Sequence, residues 1–279
     1  MNVAIIGSGV VGQATGKGLR AKGHSVVFAD INPNVLSRLK AEGCQVCLPS
    51  APDLADSEVF FISVSTPTLN GMVGLEFLES AVATLGETTM KQQEGYAVIV
   101  VRSTVPPGTT DKMVIPLLEK FSGKKAGPDF GVCMQPEYLR ERSALEDFAN
   151  PRLIVIGSLD RRSGEMLEKA YSSFSCPIEH VSLMEAEMQK YVHNLLNATK
   201  ISFFNEMRIV CETLGVHADK VFRLVLKTAE AVSNPAYGTQ NLGPFGGSCL
   251  PKDTNGFLSW ANKYLRLSLP LLRAVIRVN

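Results

Sequence analysis

Residues Gly246-Gly247-Ser248-Cys249-Leu250-Pro251-Lys252-Asp253 set a thiol immediately ahead of what reads as a helix start. Pro251 suits the first helical position, where its missing N–H leaves nothing unsatisfied. The orphan N–H groups and partial positive charge of a helix N-terminus favour a thiolate at Cys249. The glycine pair lets backbone approach a ligand closely. Taken alone, the same residues describe an inert cysteine in a glycine-rich turn. A second motif at the other end of the chain, Gly7-Ser8-Gly9-Val10-Val11-Gly12, changes the balance. A nucleophilic thiol working with a hydride acceptor can take an alcohol past the aldehyde to an acid.

The glycine motif has the context of a dinucleotide fingerprint. It follows an apolar strand, Val3 to Ile6, and opens a helix that runs to about Lys22. An acid, Asp30, stands 18 residues beyond Gly12 at the end of a second predicted strand, Ser25 to Ala29. Gly7 permits the tight turn, Gly9 lets backbone meet a pyrophosphate, and Gly12 allows close helix packing; Val10 and Val11 complete the cofactor-binding segment. Asp30 can accept both adenine-ribose hydroxyls and would repel a 2′-phosphate, which selects NAD over NADP. The bland alternatives are an ordinary strand-to-helix turn and, for Asp30, a cap on the next helix.

Other residues offer chemistry by position. Lys190 and Asn194 are four apart on a predicted helix and share a face, where an ammonium and an amide can bind an oxyanion and position a water. By spacing alone, the favoured reading is that Lys190 pairs with Glu187 one turn back. Asp253 reads as a base four residues from the thiol or as a first-turn complement to the helix dipole. Two segments, Val101 to Gly108 and Gln135 to Glu141, follow strand ends, where doubly wound folds place ligands; the second carries Glu137 and Glu141. The six cysteines (44, 47, 133, 176, 211 and 249) are scattered, as reduced thiols are. Cys44-Gln45-Val46-Cys47 lacks the second pair or paired histidines of a zinc site, and the four histidines show no ligand spacing, so no metal is expected.

The elements that must position these groups alternate. Strands are predicted at 58–64, 96–101, 130–134 and 153–156, with helices at 33–41 and 75–90 among them. The pattern is that of an α/β protein with a Rossmann-like, doubly wound parallel sheet. From Leu183 to Leu214 the pattern becomes one long helix without Gly or Pro, apolar on more than one side. Such a helix must be covered, and a second subunit is one candidate, giving a homodimer through residues 183–214. Helices at 217–228, 252–263 and 270–278 follow, with a Pro/Gly-rich loop at 234–247. The expected domains are therefore 1–182, binding NAD, and 183–279, a helical central domain carrying the cysteine loop.

Bulk properties set limits. The 279 residues, 45% hydrophobic and 20% charged, suit one large domain or two of ordinary size. A net charge of +1 gives no electrostatic case for nucleic acid or anionic membrane as partners. No apolar run approaches the ~18–20 residues of a membrane span. Residues 1–20 carry no targeting pattern, so a cytoplasmic location is expected.

Together these segments resemble the UDP-glucose/GDP-mannose dehydrogenase family over the whole chain, with Gly246 to Asp253 the most specific part. The resemblance implies an NAD-dependent, four-electron oxidation of a nucleotide sugar at C6 to the uronate. It implies that Cys249 is the nucleophile, forming a thiohemiacetal and then a thioester. Lys190 and Asn194, within Ala186-Glu187-Met188-Gln189-Lys190-Tyr191-Val192-His193-Asn194, would stabilise the oxyanion and orient the sugar. Thr104 and Asp253 would hold the water or move protons, and Glu137 would assist thioester hydrolysis with Glu141 in the same pocket. Ser65-Thr66-Pro67-Thr68 looks like a family loop that makes Thr66, with Thr104, a cofactor contact. The sequence departs from the pattern in two places. It stops near the end of a connecting helix, so a third, nucleotide-clasping domain is expected to be missing, and Asn34 stands where a lysine is frequent. Two other readings compete. A two-electron β-hydroxyacid dehydrogenase would share the Lys/Asn pair but need no thiol, and an NAD-binding dimerisation remnant would need no reactive cysteine. The sugar is not legible, because the loop Asn234 to Phe245 has no readable code.

Overall fold

Short runs of β-branched and aromatic residues, broken by glycine turns, build a sheet in the first part of the chain. In the computed structural model, which describes residues 1–239 and 243–279, the strands are β1 (Asn2–Ile6), β2 (Ser25–Ala29), β3 (Gln45–Cys47), β4 (Val59–Ile62), β5 (Thr68–Leu69), β6 (Met72–Val73), β7 (Val98–Val101), β8 (Gly131–Met134), β9 (Ile154–Ser158) and β10 (Ile178–Ser182). Eight of them form one sheet in the order β10-β9-β8-β7-β4-β1-β2-β3. The helices that cover it are α1 (Val10–Ala21), α2 (Pro33–Ala41), α3 (Glu76–Leu85), α4 (Ile115–Ser122), α5 (Ala144–Ala149) and α6 (Arg161–Ala170), before α7 (Leu183–Thr213) begins. The chain divides into two compact units, 1–192 and 193–279.

In the first unit β4, β7 and β8 are buried at every residue, as strands covered on both faces must be. Successive side chains point to opposite faces. Phe60, Ile62, Val101 and Leu118 therefore join one apolar layer, and Phe61, Val100, Phe28 and Phe148 join the other. Gly12 packs α1 onto this sheet so closely that a Cβ there would lie 2.1 Å from the Gly7 carbonyl oxygen. Neither backbone segment can yield, so Gly12→Ala is expected to lower stability by about 1–3 kcal/mol, the usual cost of overpacking. It should also weaken NAD binding; thermal unfolding and an NAD titration check both.

Three features depart from the expected parallel sheet. β9 runs antiparallel to β8, through the pairs Cys133↔Ser158 and Met134↔Gly157, because residues 135–153 return to the sheet at the end they left instead of crossing over. The edge strands β3 and β10 were not expected; their residues are half-exposed or exposed, which blurs the apolar signal. Between β4 and α3, β5 and β6 form a hairpin turned by Asn70 (φ 52°) and Gly71 (φ 80°), the pairing a two-residue primed turn requires.

The second unit contains the rest of α7, then α8 (Ala218–Thr228), α9 (Glu230–Ser233), α10 (Leu250–Trp260) and α11 (Pro270–Val278). Val210, Ala261 and Leu269 form its small core with Met207, Phe257 and Leu272. Glu206 on α7 accepts from the N–H groups of Leu271 (2.8 Å) and Leu272 (3.1 Å), seating a carboxylate on the start of α11. Every residue from 194 to 203 of α7 is exposed, including Leu195, Leu196, Ile201 and Phe203. The loop expected to read the sugar, Asn234 to Phe245, includes residues 240–242, which lie outside the described residues.

Candidate functional site

Four neighbouring parallel strands deliver the functional segments of the first unit to one edge of the sheet. β1 ends at the glycine motif, β4 at Thr66, β7 at Thr104 and β8 at Glu137. Gly7, at φ +89°, donates to the Ala29 carbonyl at 2.9 Å. A Cβ on Gly7 would meet the Ser63 carbonyl at 2.9 Å, whereas one on Gly9 would meet nothing within 4 Å. The start of α1 has no side-chain cap and no acid in its first turn, and Val10 beside it is exposed, with Val11 half-buried. Open space at Gly9 against uncapped N–H groups fits a pyrophosphate.

Asp30 stands at the tip of β2. Its Oδ2 accepts from the Ser8 N–H at 2.7 Å and its Oδ1 from the Asn32 N–H at 2.8 Å, which leaves a lone pair on each oxygen for ribose hydroxyls. The cap of α2 is Asn32, whose side chain accepts from the Asn34 N–H at 3.0 Å. Capping is therefore not Asp30's task. These residues fit NAD.

Thr66 Oγ1 donates to the Thr104 carbonyl at 2.8 Å, joining the ends of β4 and β7. At the end of β8, Lys190 Nζ donates to Glu137 Oε1 at 2.8 Å and also to the Glu137 carbonyl. Their side chains are only 6% and 13% exposed, so the pair lies in a low-dielectric setting. Glu137 Oε2 is taken by the Leu139 N–H at 2.6 Å. The Tyr138 ring centroid lies 5.7 Å from Lys190 Nζ. Burial pushes the Tyr138 hydroxyl up to about 12, and it donates to Gln189 Oε1 at 2.5 Å. Lys190 thus pairs across the fold, not with Glu187 as its spacing allowed.

Several supporting residues escaped the sequence reading. Arg102 is buried and donates from Nη1 to Gln135 Oε1 at 2.5 Å, the same oxygen that the Tyr171 hydroxyl reaches at 2.6 Å. Its guanidinium lies 5.5 Å from the Phe148 ring centroid. Two residues before Glu137, Gln135 is held from both sides. Arg102 and Gln135 stand inside the strand-end segments singled out above, but nothing in their spacing pairs them. Glu141, in contrast, is exposed and lines a surface hollow with Val10, Gln13 and Arg142 beside α1.

In the second unit, Asn194 is exposed one turn beyond Lys190 on α7. Cys249 is the exposed cap residue of α10, with no side-chain cap hydrogen bond, and Pro251 is the second helical residue, not the first. Its Sγ lies 3.7 Å from Ser248 Oγ. The Asp253 N–H donates to the Cys249 carbonyl at 2.8 Å, while the Asp253 carboxylate meets Lys252 Nζ at 2.5 Å on the exposed side of α10. Elsewhere, burial and neighbouring Asp53 push the Cys47 thiol up to about 11. Among the described residues, no group of three His, Cys, Asp or Glu could hold a metal, and no helix is long and apolar enough to cross a membrane.

Comparison with known proteins gives the lineage. The profile described as UDP-glucose/GDP-mannose dehydrogenase family, NAD binding domain, matches residues 49–175, and the central domain of the same family matches 184–279. A profile for coenzyme F420-dependent NADP oxidoreductases matches residues 2–81. GDP-mannose 6-dehydrogenase of Azotobacter vinelandii is 37% identical, the alignment covering 100% of this chain and 68% of that protein. UDP-glucose 6-dehydrogenase TuaD of Bacillus subtilis is 34% identical, covering 99% of this chain and 62% of that protein. The crystal structure of a ternary complex of GDP-mannose dehydrogenase from Pseudomonas aeruginosa superposes with a TM-score of 0.94 at 32% identity, covering 100% of this chain and 68% of that one. With the mostly parallel sheet, the glycine cradle and the helical second unit all in place, the chain belongs to the UDP-glucose/GDP-mannose dehydrogenase family of NAD-dependent oxidoreductases.

Proposed function

We propose that this chain carries the machinery for oxidising a nucleotide sugar at C6 to the uronate, by two successive oxidations on one thiol. The observation that supports this most is the convergence of Gly7–Gly12, Thr66, Thr104 and the buried Lys190–Glu137 pair on one edge of the sheet, where open α/β sheets bind ligands. NAD, when bound along the glycine cradle and Asp30, accepts a hydride in each oxidation. The chain's own residues do the rest. Thr104, with Asp253, holds the water that takes the C6 hydroxyl proton. The resulting aldehyde carbon bonds to Cys249 Sγ, and Lys190 and Asn194 hold the oxygen of that thiohemiacetal, an oxyanion-type stabilisation. Loss of a hydride and a proton leaves a thioester. Glu137 helps a water attack it, releasing the uronate and the thiol. Capture on sulfur keeps the aldehyde from escaping and splits one hard step into easier ones.

GDP-mannose and UDP-glucose, the donors in the relatives' names, are the first to test. The exposed apolar stretch of α7 supports a homodimer through that helix. Six unpaired thiols accord with a reducing, cytoplasmic setting. The decisive experiment is the number of NADH formed per sugar consumed, across GDP- and UDP-sugars. Two per sugar is expected. One per sugar would replace the thioester scheme with a two-electron hydroxyacid-type reaction, and none, with NAD still bound, would leave a cofactor-binding remnant.

A further inference from the structure

Glu187 is a buried charge for which the scheme above has no task. Its residue is 0% exposed, and its charge is met by donors from a single distant segment. Oε1 accepts from the Thr110 N–H at 2.8 Å and the Thr110 hydroxyl at 2.7 Å, and Oε2 accepts from the Gly108 N–H. These donors open the helical stretch that leads into α4 and would otherwise be orphaned. A carboxylate at such a start is favourable on charge as well as on hydrogen bonding.

A helix start is ordinarily capped by a Ser, Thr, Asp or Asn in its own first turn. Here the cap comes from a residue 77 positions away, so stabilising the helix is an incomplete account of it. What the long reach accomplishes is to bind two functional segments together. Thr104 lies four residues before Gly108, in a loop stiffened by Pro106 and Pro107. That loop is closed further by the Thr109 hydroxyl and N–H on the Pro106 carbonyl at 2.6 and 3.1 Å. Lys190 lies three residues after Glu187, on the same helix and about one turn on. Its own contacts, to Glu137, tie it to the end of β8 and not to the loop after β7. Glu187 is the link between Lys190's turn of α7 and Thr104's loop.

We propose that Glu187 is a positioning residue that holds Lys190 and Thr104 at a fixed separation, so that the amine reaches the reacting oxygen while the hydroxyl reaches the water beside it. The inference rests on the roles given to Lys190 and Thr104 under the proposed function. A displacement of an ångström in such a pair is costly to rate without needing any loss of binding.

The test uses the full chain with Glu187→Gln, which keeps the shape but aims an amide N–H₂ at N–H donors. Thr110→Val removes one of the three donors and is the gentler variant. Amine acetylation followed by peptide mass spectrometry reads Lys190 directly, with exposed Lys227 as internal reference. Glu187→Gln is expected to raise the Lys190 labelling rate relative to Lys227 by roughly tenfold, and Thr110→Val by a smaller factor in the same direction. Turnover should fall by a similar factor in kcat with KM for NAD unchanged. Leu118→Ala, a core truncation in α4, serves as a control that lowers the melting temperature while leaving Lys190 protected. If Glu187→Gln and Thr110→Val leave Lys190 as protected as Leu118→Ala does, Glu187 is a structural cap and the proposal fails. Labelling needs no substrate, so this result holds whether or not the sugar oxidation is found.

Discussion

Cys249→Ser is expected to lower the rate of uronate formation on the order of 10³-fold or more, the scale of losing a covalent nucleophile, with oxidation halted at the aldehyde. Serine keeps the size of the side chain and replaces a polarisable sulfur by a poor nucleophile. The structure makes this substitution unusually clean. Cys249 occupies the cap position of α10 with helical backbone (φ −92°, ψ −61°) and makes no cap hydrogen bond, so exchanging its sulfur for oxygen takes no cap from the helix. The variant should melt at the same temperature, so lost activity cannot be blamed on the fold. Uronate production at the parental rate, with two NADH per sugar, would remove Cys249 from the reaction.

Lys190→Met should be expensive twice. Its amine is the donor that offsets the Glu137 carboxylate at 2.8 Å, and both side chains are largely out of water. Without it, Glu137 keeps the Leu139 N–H as its bonded donor. Breaking a buried pair from one side costs about 3–5 kcal/mol, because the remaining charge is stranded. Adding Glu137→Gln removes that charge, so the double variant should recover most of the stability in denaturant unfolding. Neither protein should complete the second oxidation of the sugar. Equal unfolding midpoints for single and double variants would show that the pair is not coupled; full turnover in Lys190→Met would take the amine out of the chemistry.

What could be read ahead of the structure followed from how each residue is constrained. β1, α1, β2 and α2 lie where they were expected, because Val-Ala-Ile-Ile, the glycine motif and Pro33 each admit few alternatives. The long helix was legible from 31 residues without a breaker. The hairpin at Asn70-Gly71 was also signalled by its dipeptide, but the strands are two residues each and left no alternation to notice. The reversal of β9 could not be seen, because direction within a sheet depends on where residues 135–153 return, not on their composition. Long-range partners were equally hidden. Spacing paired Lys190 with Glu187, whereas tertiary packing sends Lys190 to Glu137 and Glu187 to Gly108 and Thr110. The buried Arg102–Gln135–Tyr171 contact joins three segments that no local pattern connects.

Glu187 and Glu206 each anchor α7 to the start of another helix, and between them residues 194–203 are exposed on every side. In helix–coil terms that stretch has no standing of its own. Ten residues are fewer than an isolated helix needs in water, since nucleation is unfavourable by a factor of about 10³ and few propagation steps follow it. The middle of α7 is therefore helical because winding arrives from its two secured ends. Asn194 sits at the first residue of this borrowed segment, so the geometry that carries its amide is inherited from Glu187's side of the helix and not made locally.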